Sequence, residues 1–79
     1  MMNDLYHLVS MLESFKIKYK MYSLSDYNTP LEFFNSFAFY SDDSDLPDYD
    51  VCIEFSDGVY FYNRFHFKNG QFHSFGIYE

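Results

Sequence analysis

Hydrophobic residues at Leu5, Leu8, Val9, Leu12 and Phe15 recur every three or four positions, and Tyr6, His7, Ser10, Glu13 and Ser14 fall mostly between them. That spacing lays one apolar stripe along a helix. Asn3 can cap it, and Asp4 in the first turn complements the positive end of the helix dipole, so the pattern predicts a helix over residues 3–15. At Phe15 the period drops to two. Phe15, Ile17, Tyr19 and Met21 alternate with Lys16, Lys18 and Lys20. Alternation marks a half-buried strand, predicted here over residues 16–23, and lysines on its outer face discourage edge-to-edge association.

Ser25-Asp26-Tyr27-Asn28 is a polar loop, and Thr29-Pro30-Leu31-Glu32 follows with two helix-start signals. Thr with Glu three residues on forms a capping box, and Pro suits the first helical position. A short helix from Pro30 to about Phe37 is expected. The rings at Phe33, Phe34, Phe37 and Phe39 are too dense for a one-sided helix, and residues 37–40 read equally well as helical or extended. Ser41 to Asp50 reads as an acidic loop, with Asp42, Asp43, Asp45, Asp48 and Asp50 around Pro47 and only Leu46 and Tyr49 as large apolar groups.

The last third, from Asp50 onward, reads as a three-strand meander with turns at Asp57-Gly58 and Asn69-Gly70. A one-residue change in loop length swaps the faces of a strand. A three-residue loop Ser56-Asp57-Gly58, with Gly58 left-handed, collects the cleaner apolar set: Val51, Ile53, Phe55, Val59, Phe61, Phe65, Phe67 and Phe72, against which the first helix packs. Asn69-Gly70 fits a two-residue primed turn, pairing Phe67 with Phe72, Lys68 with Gln71 and His66 with His73. The opposite face then carries Tyr60, Tyr62, Arg64, His66, His73, Phe75 and Ile77. The expected fold is α+β: a small antiparallel sheet of three or four strands packed against an N-terminal helix, with a second short helix, in a single domain spanning residues 1–79.

Composition sharpens this picture. A chain of 79 residues buries only about 60–65% of its unfolded surface. Phe and Tyr make up 25% of it, more rings than one small core can hold, so some tyrosines are expected at the surface as contact residues. The net charge of −7, with five basic residues, argues against nucleic acid or an anionic membrane as the direct partner and favours a basic protein surface. Cys52 is the single cysteine, which excludes an intrachain disulfide and a cysteine metal cluster. Met1-Met2-Asn3-Asp4 lacks a basic leader and no long apolar run follows, so an intracellular, cytoplasmic protein is expected. Abundant Phe, Tyr and Asn beside one Ala and one Arg point to an A/T-rich gene, as in a low-GC bacterium or its phages.

Candidate chemistry is sparse. His66 and His73 form an incomplete metal set. Asp43, Asp45 and Glu54 sit at the first, third and twelfth positions of a calcium-loop pattern, but Asp48 replaces its glycine. Cys52 has no basic neighbour in sequence to activate it, and no glycine-rich phosphate loop is present. Neither enzyme activity, cofactor nor metal is expected. Small size, acidity and A/T-rich coding give the chain a likeness of type to phage anti-defence proteins, anti-CRISPR proteins among them, although no motif matches a family. The likeness implies a non-enzymatic inhibitor that binds a larger, nucleic-acid-handling protein, with carboxylates imitating a phosphate backbone. Asp42, Asp43, Asp45, Asp48, Asp50, Tyr60 and Tyr62 are the expected contacts. Two alternatives stand beside this: a structural or assembly protein that self-associates, as a homodimer for example, and an immunity protein that neutralises a basic toxin nuclease.

Overall fold

A helix from Asp4 to Ser14 (α1) begins at Asn3, whose side chain accepts from the Tyr6 N–H at 3.0 Å. In the computed structural model, which describes residues 3–56 and 58–78, α1 ends in a complete Schellman motif. The Ile17 N–H reaches the Leu12 carbonyl at 2.8 Å, the Lys16 N–H reaches that of Glu13 at 3.1 Å, and Lys16 takes φ of 58°, where glycine is usual. This turn consumes the first half of the strand expected over 16–23. Pairing starts only at Lys20, so the first strand (β1) runs Lys20–Ser23 and Lys16 and Lys18 precede it.

The second helix (α2, Pro30–Asn35) starts as its sequence requires, with the Thr29 Oγ1 accepting from the Glu32 N–H at 3.1 Å. Glu32 reaches back one residue further than in the standard box, accepting from the Asn28 N–H at 3.2 Å. Residues 37–40 are neither helix nor strand. Asn35 closes them into a turn, its amide oxygen accepting from the Tyr40 N–H at 2.7 Å and its amide nitrogen donating to the Tyr40 carbonyl at 3.2 Å.

Three further strands, Val51–Ser56 (β2), Tyr62–Lys68 (β3) and Gln71–Tyr78 (β4), complete one antiparallel sheet in the order β1-β2-β3-β4. The fold is α+β, as expected. At Asn69-Gly70 both residues have positive φ, 52° and 81°, the signature of the primed turn. The first hairpin differs in detail. Ser56 pairs with Tyr62, leaving five residues, 57–61, in the loop rather than three. Asp57 lies outside the described residues, and Gly58 is left-handed as expected, with φ of 89°. Lengthening by two keeps the parity, so Val51, Ile53 and Phe55 do share a face with Phe65 and Phe67. Val59 and Phe61 move off the sheet and are exposed.

The second hairpin carries a β-bulge. Phe67 pairs with Phe72, but His66 pairs with Ser74, which makes His73 the extra residue. Beyond it every side chain of β4 changes face. Phe75 and Ile77 go to the α1 side, where the Phe75 ring lies 4.8 Å from that of Phe65, and Ser74, Gly76 and Tyr78 take their expected places. The sheet thus separates two cores. On one face Leu12, Ile53 and Phe67 are buried, with Leu5, Leu8, Val9, Tyr19, Val51, Phe55 and Phe65 around them. On the other, α2 and the acidic loop bury Phe33, Phe34, Tyr49 and Cys52. The mixed Tyr/His/Arg face is therefore covered over much of its area. Fully burying a ring stabilises by roughly 1.5–3 kcal/mol, which is why the dense Phe run of α2 lies inward.

Candidate binding surfaces

The acidic segment is held to the sheet at three places. The Asp50 N–H donates to the Phe67 carbonyl at 2.9 Å, and its carboxylate accepts from the Asn69 N–H at 3.2 Å. Asp48 meets Lys68 at 3.0 Å on the surface. Tyr49, between them, is buried: its ring stacks on His66 with centroids 4.1 Å apart and planes 14° apart, and meets Phe34 edge-on at 5.1 Å. Upstream, Asp42 caps a single 3₁₀ turn, Asp43–Asp45, by accepting from the Ser44 N–H at 2.9 Å and from the Ser44 hydroxyl. The Ser44 side chain first, then its backbone N–H, holds the Asp42 carboxyl below its usual pKa. Asp42, Asp43, Asp45 and Asp48 are exposed, and the side chains of Asp43 and Asp45 have no hydrogen bond or ion pair among the described residues.

The other expected contacts lie elsewhere. Tyr60 belongs to the loop between β2 and β3, and Tyr62 opens β3 opposite Ser56. Both are exposed. The acidic loop joins the sheet at the Val51–Phe67 pair, five steps along β2 and so about 17 Å away. The carboxylates form one patch, and the two tyrosines form another at the opposite end of the sheet.

Between these ends the α2 side of the sheet carries a polar group set that the sequence pattern did not pair. The Arg64 Nε–H donates to Glu54 at 2.7 Å, with both side chains largely buried. The guanidinium lies 4.2 Å from the Tyr78 ring centroid and 5.7 Å from that of Phe37. The Tyr78 ring rests on Gly76, where a Cβ would meet its hydroxyl oxygen at 2.6 Å. The register that matches Glu54 with Arg64 depends on the five-residue loop, which nothing in the local sequence specifies.

His66 and His73 do not pair across the hairpin. Both Nδ1 atoms approach the Ser74 hydroxyl instead, at 2.9 and 2.8 Å. The hydroxyl has one proton, so one imidazole accepts from it and the other donates to it. His66 is 5% exposed, and its Nε2 is buried without a hydrogen-bond partner among the described residues. Burial first, then the charges of Arg64 and His73, push its pKa down to about 4, so it is neutral at pH 7 and a poor base. Burial holds the Cys52 thiol up at about 12, which keeps it protonated. These two groups face each other across β2 and β3 as core residues rather than as an activated pair. Among the described residues no three His, Cys, Asp or Glu side chains converge on a metal position. The calcium pattern is dispersed because Glu54 is committed to Arg64 on β2.

No helix among the described residues is long and apolar enough to cross a membrane. No family model, curated protein or solved structure matches the chain.

Proposed function

We propose that the chain is a non-enzymatic binding protein that docks its acidic loop on the basic surface of a larger protein and inhibits it. The observation that supports this reading is the anchored loop: Tyr49 and Asp50 fix its base in the sheet while Asp42, Asp43 and Asp45 stay solvent-exposed just above. Carboxylates held in place on a scaffold lose little conformational freedom on binding, and their field accelerates encounter with a cationic partner. A protein that handles nucleic acid has such a surface, and occupying it with carboxylates competes with phosphate. The phage anti-defence role, in a bacterial cytoplasm, is one biological setting for this chemistry, and neutralising a basic toxin nuclease is another.

The experiment is capture from host lysate by the tagged chain and by its Asp42→Asn, Asp43→Asn, Asp45→Asn triple variant, at low and high salt. A specific partner should be basic, should be lost at high salt and from the triple variant, and should release the chain when duplex DNA is added. A partner retained equally by the triple variant refutes the carboxylate role.

A further inference from the structure

The two edges of the sheet are unlike each other. β1 is four residues long and is preceded by Lys16 and Lys18 with Lys20 at its start, the usual defence of an edge strand. β4 is eight residues long, and from Gln71 to Tyr78 it carries no charged residue in a chain whose net charge is −7. Its α1-side residues Phe72, Phe75 and Ile77 are 51%, 46% and 59% exposed.

The hydrogen-bond alternation fixes what this edge offers. The two-residue turn makes Lys68 and Gln71 the closing hydrogen-bonded pair, so Lys68, His66, Arg64 and Tyr62 bond toward β4. The residues between them bond toward β2, as the Phe67 carbonyl does in accepting from Asp50. On β4, Ser74, Gly76 and Tyr78 therefore bond inward, while Phe72, Phe75 and Ile77 direct their N–H and C=O groups outward. The Phe72 N–H is sealed by Asp4, which accepts it at 2.7 Å. The backbone groups of Phe75 and Ile77 face outward from the last strand in the sheet order.

We propose that β4 pairs antiparallel with β4 of a second copy of this chain, about a two-fold axis through Gly76, joining the two sheets into one. This register sets Phe75 of each copy opposite Ile77 of the other. Both are outward-directed, so two hydrogen-bonded pairs form, with four N–H···O bonds. Each also brings a ring against a β-branched side chain on the α1 face, a favourable cross-strand combination. Gly76 meets Gly76 at the close, non-hydrogen-bonded position, each with the Tyr78 ring of its own strand lying over it. The His73 bulge and Asp4 limit the pairing to residues 74–78.

A second copy fits this edge better than a cationic strand, because β4 offers no carboxylate and the acidic loop lies toward the other end of the sheet. The half-exposed side chains of Phe75, Ile77 and Tyr78, with the edge backbone, come to roughly 400 Å² per copy, or about 800 Å² in total. That is below the usual size of a stable interface, so the dimer is weak and concentration-dependent.

This inference goes beyond the acidic-loop reading and does not depend on it. The test is sedimentation equilibrium over micromolar to millimolar concentration, at low and high salt, for the wild type, Ile77→Pro and Ile77→Lys. Proline at 77 removes an outward N–H while leaving the ladder to β3 intact, and circular dichroism establishes whether each variant is folded. The wild type should shift toward twice the monomer mass as concentration rises, more so at high salt, where repulsion between the acidic copies is screened. Both variants should remain monomeric, and the Phe75 and Ile77 amides should gain exchange protection only at concentrations where the wild type dimerises. The proposal is overturned by a wild type that stays monomeric throughout, by a dimer that survives Ile77→Lys, or by Phe75 and Ile77 amides that exchange freely in the dimer. The Asp triple variant should dimerise at least as well as the wild type, which separates this result from the partner experiment.

Discussion

Replacing His66 by Gln and following stability against pH tests the reading of the α2-side core most directly. His66 is 5% exposed under the Tyr49 ring, with a pKa lowered to about 4, against about 6.5 in an unfolded chain. Between these two values the unfolded chain binds a proton that the folded one refuses. Unfolding is therefore favoured as pH falls, and the stabilisation held at neutral pH is lost progressively below about pH 6.5. With those two pKa values the loss is about 2 kcal/mol by pH 5 and about 3 kcal/mol by pH 4, since one pKa unit is worth about 1.4 kcal/mol. A domain this size has about 4–12 kcal/mol in all, so the effect is large. Gln keeps a polar contact for Ser74 but cannot titrate, and every carboxylate is common to both proteins. The difference between wild type and variant thus isolates His66. Urea denaturation at half-unit pH steps should show the wild type losing its advantage, or deepening its deficit, by about 3 kcal/mol from pH 7.5 to pH 4. Parallel pH profiles would refute the burial of a neutral imidazole here.

Four further outcomes follow from the packing. Gly70→Ala should destabilise by about 2–3 kcal/mol in urea, because φ of 81° is unfavourable for Ala and its Cβ would meet the Asn3 amide at 2.1 Å, displacing the cap of α1; a loss below about 0.5 kcal/mol would contradict this. Lys16→Gly should stabilise by about 0.5–1 kcal/mol by relieving the left-handed Schellman residue, which a thermal melt reads as a rise in Tm. Glu54→Ala should cost about 2–3 kcal/mol by leaving the Arg64 guanidinium unpaired, and Glu54→Leu combined with Arg64→Met should recover most of it in a double-mutant cycle. Cys52, fully buried and held protonated, should react with a thiol-specific disulfide reagent only as fast as the protein unfolds; reaction at the rate of a free thiol under native conditions would show the α2 core to be open.

Local rules made much of the fold legible. The helix of Leu5, Leu8, Val9 and Leu12, the Thr29-Pro30 start and the Asn69-Gly70 turn each follow from backbone preferences spanning a few residues, and each appears where the pattern puts it. The parity of the first hairpin was also readable, because side-chain alternation survives a loop that lengthens by an even number. The loop length itself was not, since it depends on how Phe65 and Phe67 seat against Ile53 and Leu12, contacts between parts of the chain distant in sequence. The same holds for the candidate surfaces. Counting aspartates located the acidic patch, but only the fold shows that Tyr49 anchors it and that Tyr60 and Tyr62 stand at the far end of the sheet. By itself the sequence determined the elements and which side chains alternate. The tertiary structure alone decided, through one bulged residue at His73, that Phe75 and Ile77 face the α1 side at an uncharged open edge. A bulge costs little locally, and whether it forms depends on what packs on either face of the sheet.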